Sequence, residues 1–175
     1  MIDTVKELIA NQIEAALCTL NACIELCPDQ AWDMRIARYP FSQVVFHTLF
    51  FTDYYLGADE ESYRRQPFHR DNASFFGDYE QLQDREPVAR YDRASINKYM
   101  NHCRRKATDA TRSETAATLA GPTGFARRNF SRAELYVYNI RHIQHHAAQL
   151  ILRLRVDADR DVPWVESGWS VGPLA

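Results

Sequence analysis

With 175 residues, 21 Lys and Arg against 23 Asp and Glu, and a formal net charge of -2, the chain fits a single domain, residues 1–175, with room for a sizeable core. A near-neutral balance gives no electrostatic footprint for nucleic acid, and the amino end carries Asp3, Lys6 and Glu7, so neither a signal peptide nor a membrane span is read there. A cytoplasmic protein without nucleic-acid or membrane partners is expected, and Cys18, Cys23, Cys27 and Cys103, three of them on one helical pattern, read as reduced, buried thiols.

The first helix is predicted from about Asp3 to Cys27, where Ile2, Val5, Ile9, Ile13, Ala16, Leu20, Cys23 and Cys27 form one apolar stripe that Pro28 ends. A connector with Trp32 and Met34 follows, and Pro40 suits the first position of a second helix that runs to about Leu56. This segment is apolar nearly all round, which argues for deep burial. Its cleanest stripe is Val44, His47, Phe50, Phe51 and Tyr54, joined by Gln43, with His47 near the middle.

From Gly57 to Asp92 the periodicity is lost, and Pro67, Gly77 and Pro87 punctuate a run rich in charge and aromatic rings. A short helix is expected near Tyr79–Gln83, with His69 at the surface. A connection this long can cross the molecule and let the second and third long helices run parallel. The third starts near Asp92 or Arg93 and carries Ile96, Met100, Cys103, Ala107 and Ala110 on one stripe. His102 falls outside that stripe, and Arg104, Arg105 and Lys106 read as a solvated face.

Gly121-Pro122-Thr123-Gly124 marks a loop before the last helix, Arg132 to Val156. Ser131 and Glu134 are spaced as a capping box, and Phe130 and Leu135 as a hydrophobic staple. Ile140, Ile143, Ala147, Leu150, Ile151 and Leu154 then keep helical spacing without interruption by Pro or Gly. At roughly 100° per residue, His142 and His146 lie on one flank of that stripe, one turn apart, while His145 points nearly opposite. Two imidazoles at this spacing can share a metal, and an inward-facing neutral His47 would complete the set. Trp164 and Trp169 in the tail are expected to pack back on the bundle or on a neighbouring subunit.

Four long amphipathic segments without strand patterning imply an all-α four-helix bundle. The run from Phe46-His47-Thr48 to Tyr55-Leu56-Gly57, together with Arg141-His142-Ile143-Gln144-His145-His146-Ala147-Ala148-Gln149-Leu150, resembles the DinB/YfiT-like superfamily. The resemblance implies a four-helix bundle with a long crossover between helices two and three, and often a homodimer. It also implies a divalent metal held by His47, His142 and His146, the same three that the helical phasing selects. Zn or Ni is the expected ion, and Fe or Co suit the same donors.

Some members of that superfamily look like S-transferases that use low-molecular-weight thiols. The preferred expectation is therefore a metal-dependent transferase or hydrolase acting on a small electrophile, with thiol transfer the leading version. Tyr54 and Tyr138 are candidate pocket walls, and Asn139 and Gln43 candidate partners behind the ligands. The rival is a non-catalytic metal-binding stress protein or dimeric interaction module. A pocket open beside the histidines favours the enzyme; a site sealed by the Trp164/Trp169 tail favours the rival.

Overall fold

The computed structural model describes residues 1–36, 38–80 and 88–170. In chain order its helices are α1 (Ile2–Leu26), α2 (Asp29–Trp32), α3 (Phe41–Leu56), α4 (Glu60–Arg65), α5 (Pro67–Asp71), α6 (Ala73–Glu80), α7 (Arg93–Ser113), α8 (Ala116–Ala120) and α9 (Arg132–Ala158). Among the described residues the fold is all-α apart from a two-residue antiparallel ladder, Arg35–Ile36 with Tyr39–Pro40, and a bridge between Pro122 and Ser131. Pro40 therefore closes that ladder and precedes α3 instead of opening it. No helix among these residues is long and apolar enough to cross a membrane.

Helix boundaries follow local chemistry. The Asp92 carboxylate accepts from the Ser95 backbone N–H at 2.8 Å, and the Ser131 hydroxyl accepts from that of Glu134 at 3.2 Å, each satisfying a donor that the first turn leaves open. At the other end of α9, Asp159 adopts a left-handed conformation with φ of 50° and its N–H bonds the Leu154 carbonyl.

The four long helices, α1, α3, α7 and α9, pack so that α1 and α3 each lie against both α7 and α9. Cross-helix bonds fix the directions. Between α3 and α7, Cys103 points to the Leu49 carbonyl and Lys106 to Asp53, so both sequences advance together and the helices are parallel. Between α3 and α9, Arg132 meets Tyr55 and Leu56 while Asn139 meets Thr52, so these two are antiparallel. Arg93 reaches the Ile24 and Cys27 carbonyls and Arg104 reaches Glu14, which makes α1 and α7 antiparallel as well.

Parallel neighbours require the chain to return across the molecule between α3 and α7, and α4, α5 and α6 lie on that return. A buried polar knot fastens it. Asp53, fully buried on α3, accepts from Lys106 at 2.5 Å, from Gln66 at 2.8 Å and from Tyr99 at 3.0 Å. Burial works to raise the Asp53 pKa, but His102 and Lys106 prevail and hold it below the usual carboxylate range. Three sequence expectations change here. Lys106 belongs to this knot and Arg104 pairs with Glu14 under Trp169, so that stretch is not a plain solvated face. His102 is half-buried, stacked on Phe68 at 4.1 Å and bonded to Gln66 at 3.1 Å. His69 is buried between Phe76 and Tyr63, because the aromatic rings of the crossover join the main core of the bundle. The region holds three short helices, α4, α5 and α6, where one was expected; α6 reaches Tyr79 and Glu80, and the part of that expectation falling on 81–83 lies outside the described residues.

The tail folds back as expected, but only one Trp does so. Val165 and Trp169 pack on Ala15 and Cys18, and Gly168 donates to the Asn11 carbonyl at 3.0 Å, whereas Trp164 stays 82% exposed. At the opposite end the loop before α9 crosses closely over the end of α3. Gly124 has φ of +76°, and a Cβ there would stand 2.1 Å from the Ala58 carbonyl oxygen. Gly124→Ala is expected to lower the unfolding free energy by more than about 1 kcal/mol, since both the backbone and the contact oppose it. Urea denaturation of the two proteins measures this; equal midpoints would show that the loop is not held there.

Candidate metal centre

The histidines are brought together by the antiparallel contact of α3 with α9. Ring centroids of His47 and His146 are 4.7 Å apart, those of His142 and His146 4.8 Å, and those of His47 and His142 5.5 Å. One nitrogen from each can be chosen so that all three lie within 4.8 Å of one another. These three residues form a group that could hold a metal ion, and the sequence named the same three.

Their placement on α3 differs from the sequence reading in one respect. Val44, His47, Phe51 and Tyr54 form the half-buried rim of α3, whereas Phe41, Val45, Phe46, Leu49 and Leu56 fill the core. A helix apolar on every side gives periodicity little to distinguish, and the fully buried face also carries Ser42, Thr48, Thr52 and Asp53. His47 at the rim is both shielded and reachable.

Two of the rings are oriented by hydrogen bonds on one nitrogen, Nδ1. His146 Nδ1 lies 3.0 Å from Gln149 Oε1, and an amide oxygen can only accept, so Nδ1 carries the proton and Nε2 keeps a free lone pair. His47 Nδ1 lies 2.6 Å from the Tyr79 hydroxyl, which can accept or donate; where it accepts from Nδ1–H, the lone pair of Nε2 is free. Burial raises the Tyr79 pKa, so that hydroxyl stays a neutral phenol. His142 differs: both ring nitrogens are buried and neither has a hydrogen-bond partner among the described residues. Such orphaned atoms are rare, because a buried polar group without a partner costs about 1–3 kcal/mol. A metal ion is a group that these donors fit.

The electrostatics agree. Burial, then the neighbouring His146, lowers the His47 pKa to about 4, and burial, then His146 and His47, lowers that of His142 to about 3. Burial likewise lowers that of His146. All three are therefore neutral at pH 7, the protonation state a metal ligand needs.

His145 is exposed as predicted, yet it is tied to the cluster indirectly, since Gln149 Nε2 lies 3.1 Å from its Nε2 while Gln149 Oε1 holds His146. Beside His142 opens a groove of about 470 Å³ lined by Tyr138, Arg141, His142, Gln144 and His145. Tyr138 is thus a wall as expected. Tyr54 does not line this groove; it packs on Phe51, Tyr55, Tyr63 and Phe125. Asn139 is also displaced from its expected role, because its side chain donates to the Thr52 carbonyl between α3 and α9. Gln43, buried on α3, lines a separate groove with Asp33, Arg35 and Pro40. Sequence reasoning missed Tyr79, which tertiary folding alone delivers, and Gln149, whose i, i+3 spacing from His146 was a usable signal.

No protein-family model, curated protein or solved structure matched the chain in comparison.

Three outcomes follow from this geometry and its electrostatics. Tyr79→Phe keeps the ring but removes the hydroxyl behind His47, and metal affinity is expected to fall about 10–100-fold in a chelator competition titration. His146→Ala should lose most of the bound metal and His145→Ala should keep the wild-type stoichiometry; equal loss in both would contradict the phasing of α9. In the metal-free protein the folded pKa values of His47 and His142 lie below the unfolded value of about 6.5. The unfolded chain then binds more protons between these limits, so the stability is fully present above about pH 6.5 and declines as pH falls toward about 4. Melting curves in chelator from pH 8 to 4, compared with a His47/His142 double-Ala variant, check the sign. An identical acid dependence in both proteins would remove the assignment.

Proposed function

We propose that this chain is a DinB/YfiT-like four-helix-bundle metalloprotein, with His47, His142 and His146 as ligands, that works as a metal-dependent transferase or hydrolase on a small electrophile. Transfer to a low-molecular-weight thiol is the preferred reaction, in a cytoplasmic homodimer. The observation that carries the reading is His142, a buried imidazole with no hydrogen-bond partner on either nitrogen, flanked by two other neutral imidazoles. Parallel α3 and α7, joined by a long crossover, and an HxxxH pair on the last long helix support the superfamily resemblance.

Three imidazoles leave a divalent cation with its full charge and an open position, and a cation so held supplies Lewis acidity that brings a water or thiol toward ionisation near neutral pH. The protein's own part is to keep the donors neutral, to orient two of them through Tyr79 and Gln149, and to offer a groove beside the third. The described part of the tail, to Ser170, lies on α1 and α7, against Asn11, Cys18 and Arg104, and does not line that groove. An open groove favours an enzyme over a sealed binding protein. Zn and Ni are the proposed ions, with Fe and Co compatible with the same donors.

The test is metal analysis of the purified protein beside His142→Ala, followed by consumption of a small thiol in the presence of an alkyl-halide electrophile. The wild type should retain metal and accelerate thiol loss, and His142→Ala should lose both. Thiol consumption that persists undiminished in His142→Ala, or a wild-type protein that binds no divalent metal, would contradict the proposal.

A further inference from the structure

The groove beside His142 is flanked by cations without counter-charges. Arg128, in the loop before α9, donates from Nη2 to the Tyr55 hydroxyl at 3.0 Å and toward that of Tyr138 at 3.4 Å. Its guanidinium carbon sits 5.1 Å from the centre of the Tyr138 ring and 5.7 Å from that of Tyr55. The Arg128 Nε is buried and bonds to nothing among the described residues. Arg141, one turn beyond Tyr138, is exposed and lines the groove itself.

Among the described residues neither arginine meets a carboxylate, and no Asp or Glu lines the groove. The nearest acid along that face of α9 is Glu134, one turn before Tyr138, and it is exposed and pairs with neither arginine. A guanidinium already fixed between two phenol rings is oriented before a ligand arrives, which reduces the entropy lost on binding. The Tyr55 ring separates it from the metal centre by a single layer: ring centroids of Tyr55 and His142 are 6.3 Å apart.

We propose that this groove is an oxyanion subsite, in which Arg128 and Arg141, with the Tyr138 hydroxyl, take the carboxylate or phosphate group of a small molecule. An anion held there lies beside the His142 ring, which lines the same groove, so the rest of a small ligand is placed against that histidine. Taken with the metal centre proposed above, on which this step rests, the substrate is an organic acid or a phosphate ester, not an uncharged electrophile. The charge-assisted fork of an arginine suits both groups, and the two are separated by experiment.

The full chain, dialysed free of metal and chelator, is titrated calorimetrically with succinate, with inorganic phosphate and with neutral succinamide. At least one anion should bind, and succinamide should not; the stronger of the two anions identifies the group. Arg141→Gln and Arg128→Gln should each weaken binding roughly tenfold or more, as loss of one charged hydrogen-bonding partner implies. Arg105→Gln, on an exposed face of α7, should not change it. Arg128→Gln also removes the bond to Tyr55, so if it fails to fold, Arg141→Gln, whose exposed side chain makes no hydrogen bond or ion pair among the described residues, decides. Absence of binding by either anion, wild-type affinity in Arg141→Gln, or equal loss in Arg105→Gln overturns the subsite. Metal stoichiometry measured on reloaded samples separates the two claims. Metal retained without anion binding removes only the subsite, and anion binding without metal keeps the subsite and removes the metal reading.

Discussion

Arg132, the first residue of α9, is buried, and its guanidinium donates to the last carbonyls of α3: Tyr55 at 3.0 Å, Gly57 at 2.7 Å and Leu56 at 3.2 Å. Those carbonyls have no partner within their own helix, so a cation placed there satisfies them and the negative end of the helix dipole together. Glu114 completes the arrangement, accepting from Arg132 at 3.0 Å and from Tyr136 at 2.8 Å. Removing one partner from a buried pair of this kind costs about 3–5 kcal/mol. The consequence reaches beyond stability. With Arg132 set against residues 55–57 and Asn139 against Thr52, the antiparallel register carries His142 and His146 to the level of His47. A slip of one turn at the Arg132 end would separate the three rings.

The site that results is poised by what it lacks as much as by what it holds. His47 and His146 each bond through one nitrogen to Tyr79 or Gln149, while neither nitrogen of His142 has a hydrogen-bond partner among the described residues. Neutral imidazoles in a desolvated corner neither repel a cation nor compete for it with protons near pH 7. Immediately outside lie Arg128 and Arg141, neither of which meets a carboxylate among the described residues. The proposed cation site and the proposed anion subsite together would favour a small ligand whose charged end and reactive end are distinct.

Much of this was legible because it is local. The Ser131 cap, the spacing of His142 and His146 and the burial of Ile143, Ala147, Leu150 and Leu154 all follow from a period of 3.6 within one helix. The all-α class and the long crossover follow from counting periodic segments and the length between them. On α3 the same method misplaced the core face, since apolar residues on every side leave no stripe to find; His47 was singled out correctly as a residue but placed at the centre of the helix face instead of its rim. Asp53 could have been flagged, because a carboxylate in so apolar a helix demands a partner, yet nothing local names Lys106 and Gln66. Tyr79 and Arg128 reach the site from segments 32 and 14 residues away from His47 and His142 respectively, with no shared periodicity, and only the packed chain brings them there.

The central claim is that three imidazoles from α3 and α9 bind one divalent ion. X-ray absorption at the zinc edge of the zinc-loaded full-length protein addresses it without relying on any activity. The structure predicts a first shell containing three nitrogen donors at about 2.0–2.1 Å, with the outer scattering of imidazole rings. A sulfur shell at about 2.3 Å, placing the ion on the cysteines of α1, or a spectrum without imidazole scattering, would contradict it.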